Sequence, residues 1–188
     1  MYSKLQAVNE VLAGIGEAPV SSLSSGFVTA STAADKIAAI SREVQEKGWY
    51  FNTEPNTPLV PDFEGHINLP NNVLRVDSSD IRKGTLVQRG LRLFDLHQRS
   101  YKFKRPVIVD IVVELPFEEL PAAAQRFITL RAKRIFQADF MGDPSLQQMQ
   151  TPDEVEAMVT LKQMESETGD YNIFDNYDLA DWIRRDIH

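Results

Sequence analysis

The stretch from Glu119 to Asp143, ELPAAAQRFITLRAKRIFQADFMGD, limits the possible folds of this chain more than any other. Pro121 suits the first helical position, where its missing N–H goes unused, and Gly142 followed by Asp143-Pro144 supplies a stop. Between them Ala124, Phe127, Ile128, Leu130, Ile135, Phe136 and Phe140 recur at helical spacing, while Arg126, Arg131, Lys133, Arg134 and Asp139 fill the other positions. A helix of roughly 20 residues spans about 30 Å, long enough to be the spine of a small domain. Its apolar face needs cover from other amphipathic segments.

Three such segments are present. Ser3 is placed to cap a helix with the stripe Leu5, Val8, Leu12 and Ile15, which Gly14 and Gly16 fray and Glu17-Ala18-Pro19 ends. Thr29 or Ser31 then caps a second helix carrying Ala33, Ile37, Ile40 and Val44, stopped by Gly48. Thr151-Pro152-Asp153-Glu154 reads as a helix start, with Thr151 at the N-cap and Glu154 closing a capping box; the helix runs through Val155, Met158, Val159, Leu161 and Met164 to Gly169.

From Trp49 to Phe117 the periodicity changes, with prolines at 55, 58, 61, 70, 106 and 116 between short runs rich in Val, Ile, Leu and Phe. The expected strands are Trp49–Thr53, His66–Leu69, Val73–Asp77, Leu86–Gln88, Leu91–Phe94 and Val107–Leu115, with Arg89-Gly90 as a hairpin turn. Val107–Val113 is apolar at nearly every position, which predicts cover on both faces. The fold class is therefore α+β: an antiparallel bundle of about four helices (1–48 and 118–169), a β-rich insertion (49–117) and an extended C-terminal arm (170–188).

The length of 188 residues suits one domain with an insertion. Cysteine is absent, which excludes disulfides, thiolate chemistry and sulfur-ligated metals. No apolar run approaches the roughly 18 residues that span a bilayer, so the expectation is an unanchored product made in the cytoplasm. His66, His97 and His188 stand far apart, without HxxxH or HExxH spacing, and no P-loop, GxGxxG or GxSxG motif occurs. Glu118/Glu119 and Asp110/Glu114 are the carboxylate pairs a glycosidase would require, but any acidic chain offers such pairs, and solvated carboxylates are the expected reading. No catalytic residue, cofactor or metal is assigned.

Charge is distributed unevenly. Arg82, Lys83, Arg89, Arg92, Arg99, Lys102, Lys104 and Arg105 face only Asp95 between residues 82 and 105, a net of +7 that leaves −14 for the remainder of a chain whose total is −7. Such a stretch can neutralise phosphates or be a solvated or protein-facing strand surface, and Phe94, Tyr101 and Phe103 interleave with it as candidates for stacking. The segment 170–188 combines Tyr171, Ile173, Phe174, Tyr177, Leu179, Trp182 and Ile183 with five aspartates, the composition of an arm that orders on a partner or folds back on its own subunit.

Several stretches, in this order, resemble the tail tubular protein A family, the head-to-tail adaptors of short-tailed bacteriophages. They are LQAVNEVLAGIGEAPV from Leu5 to Val20, Gly48-Trp49-Tyr50-Phe51-Asn52-Thr53, LPNNVLRVD from Leu69 to Asp77, Leu120-Pro121 with Arg126-Phe127-Ile128, and Tyr171-Asn172-Ile173-Phe174-Asp175. The resemblance implies a virion protein at the head–tail junction. It also implies a dodecameric ring between the portal protein and the tail nozzle protein, with duplex DNA passing through its lumen. On that reading Tyr171, Asn172, Ile173, Phe174 and Trp182 contact the portal or a neighbouring copy. Arg89, Arg92, Arg99, Lys102, Lys104 and Arg105 contact DNA or a partner, and Gly14, Gly16 and Pro19 form a structural turn. A tail-associated polysaccharide hydrolase and a DNA-binding module are the alternatives.

Overall fold

A computed structural model describes residues 2–24, 26–78, 85–142, 145 and 151–168. Four helices, α1 (Lys4–Ala13), α2 (Val28–Gln45), α3 (Ala122–Met141) and α4 (Pro152–Thr168), pack together, and five strands lie between α2 and α3. Contacts along α3 fix the directions of the other three. Lys4 N–H donates to Glu118, Arg126 pairs with Glu10, and Lys133 lies against Gly14, so α1 runs parallel to α3. Lys36 pairs with Asp139 and Glu43 with Arg131, so α2 is antiparallel to it. Glu154 meets Arg134 while Glu165 accepts from Tyr50 N–H beyond the other end of α3, so α4 is antiparallel too.

The spine forms where its periodicity places it, and Gly142 ends it in the left-handed conformation (φ 65°). Pro121 sits one position earlier than expected, as the N-cap. Ala124, Phe127, Ile128, Leu130, Ala132 and Phe136 are buried, each large apolar side chain contributing roughly 1.5–3 kcal/mol through removal from water. Phe140 departs from the expected stripe and is 60% exposed, and Arg134, assigned to a solvated position, is buried. In α1 the Ser3–Gln6 capping box is complete, but the helix stops at Ala13, before Glu17-Ala18-Pro19. Neither Thr29 nor Ser31 caps α2. The helix starts at Val28 after an N-cap at Phe27, and the Ser31 and Thr32 hydroxyls instead donate back to the Val28 carbonyl.

The strands β1 (Thr53–Leu59), β5 (Val107–Val113) and β2 (Val73–Ser78) form an antiparallel sheet in that order, and β3 (Leu86–Arg89) pairs with β4 (Arg92–Asp95) as a ribbon. The first expected strand, Trp49–Thr53, is a turn, and the observed β1 holds Pro55 and Pro58. An edge position makes this possible. The bulge between Glu54 and Thr57, with Asn56 at φ 52°, takes the first proline out of the ladder. His66–Leu69 forms isolated bridges to Lys102 and Arg92 in place of a strand. β5 is central, yet only its second half is covered on both faces, since Ile108 is 56% exposed.

Buried apolar residues fall into two clusters, one inside the bundle and one around Ile67, Leu69, Val73, Leu93, Phe103, Val109 and Ile111. Two fully buried amides lie between them. Gln45 exchanges hydrogen bonds with the backbone of Leu115 (2.8 and 3.1 Å), and Asn52 Nδ2 donates to the carbonyls of Gln45 (3.0 Å) and Val113 (2.9 Å). Helix α2 and strand β5 are thereby tied to one another.

Candidate interaction surfaces

The ribbon β3–β4 brings Arg89 and Arg92 directly opposite one another. Like charges in that register repel, and the rings beside them offset the repulsion. The Arg89 guanidinium lies 3.7 Å over Phe94, the Arg92 guanidinium 5.3 Å from the Tyr101 ring, and the two rings meet edge-on at 4.8 Å. Both arginines are exposed and carried on strands. Arg99 lies in the following turn at φ 48°, and Lys102, Lys104 and Arg105 are exposed beyond it. The structure thus places Arg89 and Arg92 on the ribbon itself and the other four cations, exposed, on the chain that follows it. Phe94 and Phe103 are buried, and Phe103 belongs to the sheet core, which leaves Tyr101 as the partly exposed ring of the three. Arg82 and Lys83 lie outside the described residues, as does 171–188 with Tyr171, Asn172, Ile173, Phe174 and Trp182.

The turn after α1 runs through Gly14 and Gly16 to Pro19, and Asn9 holds its far end, a contact the sequence does not announce. Asn9 Nδ2 donates to the Val20 carbonyl (3.0 Å) and its Oδ1 accepts from the Val20 N–H (2.8 Å). Gly16 adopts φ 77° in open space, whereas a Cβ on Gly14 would meet Lys133 at 2.9 Å. Three of the four carboxylates considered for glycan chemistry have structural partners. Glu114 pairs with Arg42 (2.9 Å), Asp110 accepts from Asn56 N–H (2.8 Å), and Glu118 accepts from Lys4 N–H (3.3 Å). Among the described residues no His, Asp or Glu cluster is arranged to hold a metal, and no helix is long and apolar enough to cross a membrane.

Glu154 also departs from its expected role. Its carboxylate does not fold back to close a capping box. It lies fully buried against Arg134 (2.5 and 3.2 Å), with Arg131 at 3.9 Å, while Thr151 Oγ1 still accepts from the Glu154 N–H. The arrangement clamps α4 to the spine.

Two exposed apolar features also went unread. Phe63 is 97% exposed on the loop after β1, and Phe27, Val28, Phe140 and Met141 are 60–78% exposed where α2 begins and α3 ends. The sequence signal for Phe63 is weak, a lone aromatic inside Pro-Asp-Phe-Glu-Gly.

The family described as Tail tubular protein matches residues 5–171, which takes in the bundle, the sheet and the ribbon. This chain belongs to the tail tubular protein family. It is similar to Tail tubular protein A of Klebsiella phage KP34, at 29% identity over 143 residues, covering 74% of this chain and 75% of that relative. Membership makes it a structural protein of a bacteriophage tail, and places its working form in the virion.

Proposed function

We propose that the chain is a head-to-tail adaptor whose copies close into a ring, dodecameric by the family resemblance, between the portal protein and the tail nozzle protein. Duplex DNA leaves the capsid through the lumen of that ring. The role is mechanical, without making or breaking covalent bonds. The observation that carries the reading is the ribbon and the chain that follows it, with Arg89, Arg92, Arg99, Lys102, Lys104 and Arg105, set on a chain whose remainder is strongly acidic. A closed ring needs one surface of each copy to meet a different surface of the next, and two regions of opposite charge supply that asymmetry. Tyr171, Asn172, Ile173, Phe174 and Trp182 are assigned to an arm that meets the portal or the neighbouring copy.

Native mass measurement of the purified protein, alone and mixed with portal protein, tests the proposal. Closed multimers of a single stoichiometry on the portal are expected, weakened by salt and by replacing Arg89 and Arg92 with glutamate. A chain that remains single in both samples contradicts it.

A further inference from the structure

The loop that carries Phe63 is built to hold it. Asp62 Oδ1 accepts from the N–H groups of Glu64 (3.0 Å) and His66 (2.8 Å), and its Oδ2 accepts from Asn68 Nδ2 (3.0 Å). Asp62 N–H donates to the His66 carbonyl (2.8 Å), Gly65 N–H to the Asp62 carbonyl (3.0 Å), and Phe103 N–H to the Gly65 carbonyl (2.8 Å). Gly65 supplies the φ of 87° that the turn needs, and a Cβ added there would stand 3.3 Å from the Phe103 carbonyl oxygen. A ring standing 97% in water on a turn fixed at six points has already lost the freedom that binding would otherwise cost it.

A receptor of matching chemistry exists on the same chain. Val28, Thr32, Phe136 and Phe140 line a groove of about 360 Å³ between the start of α2 and the end of α3, with Phe27 at α2's N-cap and Met141 ending α3 beside it. Its walls are mostly apolar, and Lys36 and Asp139, which pair across it, are neutralised by one another. Knob and groove belong to different parts of the fold, the knob to the β-rich insertion and the groove to the helical bundle. β1 starts beside Gly48, at the bundle, and leads away from it for about 20 Å. The groove sits at the other end of α2, about 27 Å from that junction. The groove is lined by α2 and α3 side chains alone, with Val28 and Phe140 largely exposed, so it is open to a ring from another copy.

We infer that Phe63 of one copy inserts into the α2–α3 groove of the next. The contact is heterologous, knob to hole, the type that closes into a ring when the rotation between copies closes. It rests on the proposal that copies assemble, and adds the residues that meet. A buried aromatic anchor in an apolar pocket is the kind of contact that dominates an interface.

The chain has no cysteine, so introduced thiols report alone. The full-length double variant Phe63→Cys/Phe140→Cys, in purified tails and in free solution, is treated with a short bis-thiol cross-linker. A ladder of covalent multimers is expected, with each single variant giving none beyond a dimer. Tails that contain several copies but give no ladder overturn the inference and leave assembly intact. A chain present as one copy per tail, single in solution as well, overturns assembly and the inference with it. Phe63→Ser, at a side chain exposed in its own fold, is expected to keep the melting temperature and weaken self-association about tenfold or more, with Phe63→Leu intermediate. Undiminished association of Phe63→Ser also overturns it.

Discussion

Glycine conformation separates two positions that look alike in sequence. Gly16 and Gly48 both have φ 77°, but Gly16 faces open space, while a Cβ on Gly48 would stand 2.9 Å from Arg75 Nη2 and 3.0 Å from Val112 Cγ2. Gly16→Ala is expected to cost about 1–2 kcal/mol from the left-handed backbone alone. Gly48→Ala should cost clearly more, because the added methyl pushes strand β5 from the end of α2. Urea unfolding of the two variants checks the ranking, and equal losses would contradict it. At Asp62 the hydrogen bond from the His66 N–H, foremost, holds the carboxyl below its usual range. A depressed folded value means the support is complete above the ordinary aspartate pKa of about 3.9 and fades as pH falls through the lower folded value. The Glu64 N–H, the His66 charge and the Asn68 amide act in the same direction. The side-chain carboxyl carbon shift of Asp62 should therefore stay constant to below pH ~4 and move only in stronger acid; movement centred higher would contradict the assignment.

At the scale of elements, α4 depends on one buried ion pair. With Glu154 fully buried against Arg134, Glu154→Gln removes the buried carboxylate of that ion pair and is expected to cost about 3–5 kcal/mol. Arg134→Met combined with Glu154→Leu should recover much of that loss, since matched apolar side chains do not require the desolvated charges. Thermal unfolding of both variants decides, and a double variant no better than the single one would refute the clamp. This pair also marks where sequence ran out. The spine and β5 were legible because periodicity and an unbroken apolar run announce them. A buried arginine looks like any polar position, and a carboxylate three residues past a threonine looks like a capping box until its partner is seen. β1 was hidden by its prolines, which only an edge position and a bulge make acceptable. The start of α2 was hidden because no side chain caps it. The six cations on the ribbon and the chain that follows it could be read as charge, but the rings that hold Arg89 and Arg92 are set by strand register, which sequence spacing alone did not specify. Phe63 was invisible to periodicity, having none.

For the whole molecule, the bundle and the sheet must move together if force or register is to pass from one end of a ring to the other. Gln45 and Asn52 provide the link, each fully buried and bonded to backbone across the junction. The central claim is that the chain works as one of many copies in a collar at the neck of the particle. Electron cryo-microscopy of intact virions tests it most directly. A ring of density between capsid vertex and tail that accommodates this fold in repeated copies is the predicted result; a neck without it, or with a single copy, would contradict the account.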